Sequence, residues 1–128
     1  MFNHVMIGAD DLDQAKKFYD ATLGRLGVPK GSFNERGVLV YSYAGGRLLI
    51  AKPINGMAAT AANGGTLGFS ASSPAQVNSW FEAGLANGGG ECEDPPGIRE
   101  APENRVVYVA LLRDPAGNKL CAVHKVSG

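Results

Sequence analysis

Few side chains in this sequence can ligate a metal, move a proton or act as a nucleophile near neutral pH. There are two histidines, His4 and His124, and two cysteines, Cys92 and Cys121. His4 alone can serve as a base at neutral pH. By position, near the start of an apolar run, it more often reads as a half-buried, hydrogen-bonded histidine than as a ligand. Cys121 lies between Leu120 and Ala122. There it reads as a small buried hydrophobe, or, as thiolate, a ligand for a soft metal. No neighbour in sequence is expected to lower its pKa. His124 follows three residues later, so the two point to opposite faces of a strand. Cys92 and Cys121 do not make a close metal-type pair. Arg99, in Asp94-Pro-Pro-Gly-Ile-Arg-Glu100, is long enough to reach an anionic ligand, although a solvated arginine is the commoner case. Tyr41, Tyr43 and Tyr108 fall on or beside strands, with core packing the default. Asp114-Pro-Ala-Gly-Asn118 reads as turn chemistry. No G-x-S-x-G, P-loop or helix-opening G-x-G-x-x-G occurs. Gly88–Gly90 follows a helix, whereas phosphate loops precede one.

The elements that must position these groups belong to one domain, since the chain has 128 residues. Twelve Lys and Arg balance twelve Asp and Glu, which argues against nucleic-acid binding and polybasic membrane docking. No run approaches the ~20 apolar residues of a membrane span. The start, MFNHVMIGADD, lacks a basic region and does not read as a signal peptide. A cytoplasmic protein with reduced thiols is the expectation.

A shift of 62 residues lays His4–Ala9 over Thr66–Ala71, Asp11 over Ser73, Gln14 over Gln76, Phe18-Tyr19 over Trp80-Phe81 and Leu23 over Leu85. Each half reads as a strand (3–9 and 65–71) followed by a helix. Asp11 and Ser73 are the N-caps, each with Gln three residues on as in a capping box. Pro74 takes the first helical position, and Gly24 and Gly88 are the stops. Strands are expected at 37–43 and 47–52 around an Ala44-Gly45-Gly46 turn, and at 105–112 and 119–125 around 114–118. Weaker strands are expected near 31–35 and 90–94. Ala44–Leu49 overlays Ala116–Cys121 at a shift of 72, so the second half has gained about ten residues. The turn-rich segment 92–104 takes them as a loop around short extended pieces.

Tandem βαβββ modules worded in this way resemble the vicinal oxygen chelate superfamily, which includes glyoxalase I, bleomycin-resistance proteins and extradiol dioxygenases. The resemblance covers residues 2–125. It is carried by His4-Val, Asp10-Asp-Leu-Asp13, Phe18-Tyr19, Leu23-Gly24 and Arg113-Asp-Pro-Ala-Gly-Asn-Lys119. It implies an α+β fold, with modules of about 2–53 and 65–125 joined by a Gly/Ala-rich linker, forming curved mixed sheets around a central cavity. In metal-dependent relatives each module supplies one ligand from its first strand and one from its last. Carried onto this sequence, these positions are His4, Leu49, Thr66 and Cys121. Only His4 is a ready metal ligand, so no divalent cofactor is expected. These four, with Tyr108 and Arg99, form the expected ligand-binding set, and His4 is the catalytic candidate. The resemblance thus implies a small-molecule-binding protein working without the usual ion. The alternative is a metal-dependent lyase or isomerase resembling lactoylglutathione lyase, using Zn, Ni, Mn or Fe to polarise substrate oxygens. A pure interaction module is a third possibility. The expected partners are a small molecule and a second copy of the chain, with neither nucleic acid nor membrane.

Overall fold

The apolar spacing at Ala15, Phe18, Tyr19, Thr22 and Leu23 becomes the buried stripe of α1, Leu12–Gly24, in the computed structural model, which describes residues 1–127. Val77, Trp80, Ala83 and Gly84 form the matching stripe of α2, Pro74–Ala86. The two helices thus begin and end in the register of the repeat, and Phe18 and Trp80 occupy equivalent, fully buried positions. Fully burying a side chain of the Phe class contributes roughly 1.5–3 kcal/mol.

The caps form as expected. An Asp11 carboxylate oxygen accepts from Gln14 N at 3.0 Å, and Ser73 Oγ accepts from Gln76 N at 3.1 Å. The reciprocal half of the capping box differs. Gln76 Oε1 accepts from Ser72 N, one residue before the cap, at 2.6 Å. The stops also differ between the helices. After α2, Gly88 takes φ +94° as a left-handed stop, and Gly89 N returns to Gly84 O at 2.8 Å. In α1, Gly24 is only the last helical residue. The left-handed turn falls at Gly27, φ +90°, because the chain makes one more tight turn first.

Both modules build a mixed sheet. In the first, β1 (His4–Gly8) lies parallel to β4 (Gly46–Ala51), which is antiparallel to β3 (Leu39–Tyr43), which is antiparallel to β2 (Ser32–Phe33). In the second, β5 (Leu67–Ser70) lies parallel to β9 (Lys119–Ser127), which is antiparallel to β8 (Arg105–Arg113). The outer edge of β8 carries both β6 (Gly90–Glu91) and β7 (Gly97–Ala101). Of the short extended pieces expected within 92–104, β7 forms as a strand. Ile98 and Arg99 pair across to Tyr108 and Val107, so the extra residues extend the sheet rather than looping out. His4 is level with Arg47, and Leu67 with Leu120, which places Thr66 level with Lys119. This is the correspondence given by the shifts of 62 and 72. Ala44 and Gly45, both at positive φ, close the two-residue β3–β4 hairpin. The sheets stay open, with no closed barrel, and the architecture is α+β.

Both modules contribute to a single core in which Leu39, Tyr41 and Ile50 join Leu112, Leu120 and Ala122 beneath the two helices. Gly84 allows that packing, since a Cβ there would lie 2.2 Å from Leu112 Cδ1 and 3.4 Å from Phe18. Polar groups fix the helices to the strands. Tyr41 donates to Asp20 Oδ1 at 2.8 Å, and the same oxygen accepts from Gly31 N at 3.0 Å. Lys16 pairs with the other Asp20 oxygen at 2.6 Å. Burial acts to raise the Asp20 pKa, but these hydrogen bonds outweigh it and hold the carboxyl below its usual range.

The Asp114–Asn118 segment is more than a turn. Asp114 Oδ1 accepts from Ala116 N and Asn118 N, at 2.9 and 2.8 Å, closing an Asx-type loop. Its Oδ2 accepts from Asn118 Nδ2 at 2.9 Å and from the buried Tyr19 hydroxyl of α1 at 2.6 Å. Asn118 Nδ2 also donates to Gly8 O at 3.0 Å. The last hairpin of the second module is thereby bound to the helix and first strand of the first.

Two outcomes follow for stability. Tyr19→Phe removes a donor from a buried carboxylate and is expected to destabilise the chain by about 1–3 kcal/mol in urea unfolding. Burial first, then Asp114, raise the Tyr19 pKa well above the ordinary 10.0. The unfolded chain therefore ionises first, so this contribution is full below pH 10 and falls as pH rises beyond it. The fall should be shallower in Tyr19→Phe, leaving the share of Tyr41, whose pKa burial and Asp20 also raise. Gly84→Ala should gain helix propensity yet lose about 1–3 kcal/mol net through overpacking against Leu112. A variant as stable as the parent would show that the α2–β8 contact yields easily.

Candidate functional site

Alternation assigns two faces to each sheet. Val5, Ile7, Leu48, Ile50, Leu67, Phe69, Leu120 and Ala122 turn toward the helices and join or adjoin the core. His4, Met6, Arg47, Leu49, Gly68, Lys119 and Cys121 therefore take the other, open face. Both β1 and β5 are edge strands, one in each sheet, and a cleft of about 550 Å³ lies between them. This volume lies within the roughly 300–1,000 Å³ of small-molecule sites. Met6, Gly8, Thr66, Gly68 and Lys119 line it, and Thr60–Ala62 of the linker form a further wall. Ala59 N donates to an Asp10 carboxylate oxygen at 2.9 Å, anchoring the linker beside β1. A Cβ on Gly8 would lie 3.2 Å from Ala59 Cβ, so a glycine at the end of β1 admits the linker at this distance.

The six expected site residues separate. Thr66 lines the cleft, exposed. His4 lies at the mouth of a second, more apolar pocket, where its Nδ1 shares a 2.8 Å hydrogen bond with Asn3 Oδ1. Leu49 is level with Met6 and only 8% exposed. Cys121 is half-buried and level with Gly68, where a Cβ would lie 3.1 Å from the sulfur. Tyr108 departs from the expected set. Its hydroxyl donates to Asn78 Oδ1 of α2 at 2.9 Å, which places it on the helix side, opposite Cys121. Its strand partner His124 is on the same side and bonds Ala71 O at 3.2 Å. Arg99 also lies away from the cleft. It sits on β7 and donates to Ile98 O and Pro95 O, at 2.9 and 2.5 Å, bracing its own segment.

Sequence reasoning overlooked the two cations that flank these positions. Arg47 is level with His4, and Lys119 with Thr66, because the repeat places a basic residue at the start of each module's last strand. The signal was present in the overlay of Arg47 on Lys119. Lys119 pairs with Glu93, whereas Arg47 is exposed and has no ion-pair partner among the described residues. Burial pushes the Cys121 thiol up, and Lys119, contrary to the expectation of no basic neighbour, partly opposes it. The net direction is upward, so Cys121 is held as a neutral thiol.

The donor chemistry does not fit a divalent ion. A catalytic site normally supplies three protein ligands. Leu49 has no lone pair, Thr66 has a weak neutral one, and Cys121 must first lose a proton that its surroundings retain. No group of three His, Cys, Asp or Glu side chains suited to a metal occurs among the described residues. Arg47 and Lys119 beside the positions add like charge to any dication.

Residues 1–122 match the family model of the Glyoxalase/Bleomycin resistance protein/Dioxygenase superfamily. The chain is similar to a glyoxalase/bleomycin resistance protein from Albidiferax ferrireducens T118, with 51% identity, TM-score 0.92 and coverage of 97% of this chain and 98% of that one. A glyoxalase-related enzyme from Fulvimarina pelagi shares the fold at 18% identity and TM-score 0.72, over 97% and 87% of the two chains. A lactoylglutathione lyase from Agrobacterium tumefaciens shares it at 24% identity and TM-score 0.64, over 97% and 92%. No curated protein matches the chain. No helix among the described residues is long and apolar enough to cross a membrane. With its repeat, its paired mixed sheets and a family match over nearly its whole length, this chain belongs to the glyoxalase/bleomycin resistance protein/dioxygenase superfamily.

Proposed function

We propose that this member binds a small organic molecule in the cleft between its modules and does so without a resident divalent ion. The observation that carries the proposal is the donor set. The superfamily positions hold His4, Leu49, Thr66 and Cys121, with Arg47 and Lys119 alongside. Of these, Thr66 and Lys119 line the cleft, and the Lys119 ammonium favours a neutral or anionic guest over a cation there. The cleft supplies apolar area from Phe2 and Met6 and polar anchors from Thr66, Asn118 and Lys119. Recognition by enclosure needs no more than this.

The experiment is elemental analysis of protein purified without chelator, paired with native mass spectrometry. The expected result is substoichiometric metal and no rise in Tm on adding zinc, nickel or manganese, since binding linkage requires an affinity that one imidazole does not supply. Placing Leu49→Glu, Thr66→His and Cys121→Glu together should create metal affinity. Stoichiometric metal held through His4 in the parent protein would sink the proposal and restore the lyase reading.

We further propose a homodimer. Ile54 and Met57 are 105% and 69% exposed, and Phe33 on the edge strand β2 is 43% exposed. Apolar exposure and open edges of this kind are normally covered. Light scattering at micromolar concentration should give about twice the 13.3 kDa chain mass. The monomer mass would refute it.

A further inference from the structure

Charge is unevenly divided between the two faces of the second sheet. Tyr108 and His124 turn toward the helices, so Val107, Val123 and Lys125 take the open face. The pairing of β8 with β7 stays regular from Tyr108 to Arg105, which keeps Arg105 on the face of Val107. Arg99 and Lys125 are both level with Val107, one on each neighbouring strand. Three cations therefore surround this valine. Glu100 is level with Val106 and takes the other face. Glu103, in the turn before β8, forms no ion pair with Arg105 or Lys125.

The surface is hollow at this end of the sheet. Ser70, Arg105, Val107, Val123 and Lys125 line a cavity of about 330 Å³. Phe69 packs against the core, so alternation turns Ser70 to the same open face, where it is level with Val123. Charge and cavity thus share one side of the sheet. Lys125 is exposed and has no ion-pair partner among the described residues. Arg105 Nε donates to Pro102 O at 3.1 Å, which steadies the side chain and leaves its two terminal amino groups for a guest. Ser72, at the rim, is already committed, because its hydroxyl donates to Gln76 Oε1 at 3.0 Å. The Ser70 hydroxyl is exposed beside the cations.

A monoanion would neutralise one of the two lining cations and leave the other. A phosphate monoester carries about −1.5 to −2 at neutral pH and presents three strong acceptor oxygens. Arginine offers it a planar fork and lysine a compact point charge. Val107 and Val123 supply an apolar floor for the esterified group. We infer that this hollow is a binding site for a small phosphate monoester, with the phosphate between Arg105 and Lys125 and the organic group on the two valines. It lies within the second module and does not depend on the guest proposed for the cleft.

The test titrates the full-length protein with phenyl phosphate, phenyl sulfate and inorganic phosphate, followed by backbone amide NMR. Phenyl phosphate should bind saturably and shift Ser70, Val107, Val123 and Lys125. Phenyl sulfate, of the same shape but a monoanion, should bind about fivefold more weakly, and inorganic phosphate should also bind more weakly. Arg105→Gln and Lys125→Gln should each weaken phenyl phosphate by about fivefold to tenfold, between the sizes of a solvent-screened ion pair and a charge-assisted hydrogen bond. Arg113→Gln should have no effect, since Arg113 lies on the same face about 27 Å along β8. The proposal is overturned by absence of saturable binding, by sulfate or inorganic phosphate binding as tightly as the ester, or by equal losses in the Arg113, Arg105 and Lys125 variants. Shifts confined to Gly8 and Thr66 would overturn it as well, by placing the probe in the cleft.

Discussion

A buried carboxylate links the two halves of this molecule. Asp114 is only 4% exposed and accepts from two backbone amides, one side-chain amide and one phenol. Each donor offsets part of the large penalty for removing a carboxylate from water. The donors come from both modules, so neither module satisfies the charge alone. Asn118, bonded to the same carboxylate, passes the constraint on to Gly8 at the end of β1. The positions of α1, β1 and the β8–β9 hairpin are therefore set together. The cleft between β1 and β5 takes its geometry from that arrangement.

The cleft exists because the sheets do not join. β1 pairs only with β4, and β5 only with β9, which leaves two edges facing one space. Small residues keep it open. Gly68 leaves Cys121 uncovered by a side chain on the adjacent strand, and Gly8 accommodates Ala59 of the linker. The linker thus has a structural role that its composition conceals, since Thr60–Ala62 wall the cleft. The same gap gives onto the helix side, where the apolar pocket lies. One architectural feature, an unsealed seam between repeats, accounts for both compartments.

The charges along the seam are unequal. In a metal-binding relative, anionic and imidazole ligands would compensate a dication. Here the corresponding positions offer a leucine, a threonine and a protonated thiol, with an arginine and a lysine level with the first-strand positions. Lys119 is partly neutralised by Glu93, while Arg47 remains free. The pseudo-symmetry of the backbone is therefore not a symmetry of charge. The first module's end carries the stronger attraction for an anion.

The sequence by itself determined the repeat, and with it the architecture. Its local signals agree with one another: Asp11 and Ser73 cap the helices, Phe18 and Trp80 point inward, and the shifts of 62 and 72 reproduce the observed strand registers. Periodicity and capping are short-range properties, so they can be read along the chain. Short extended pieces within 92–104 were legible, but the bounds and pairing of β7 were not, because Gly97–Ala101 follows two prolines and becomes a strand only by pairing with β8. The facing of Tyr108 was settled by a partner thirty residues earlier in the chain, Asn78. Arg99 was settled by carbonyls that only a folded loop presents. The contacts of Asp114 with Tyr19, 95 residues away, and of Asn118 with Gly8, 110 residues away, are tertiary facts as well. A turn motif specifies its own backbone bonds but not the distant donors that complete them. Whether a residue on a strand serves a site or the core depends on what lies across the sheet face, and tertiary packing alone decides that.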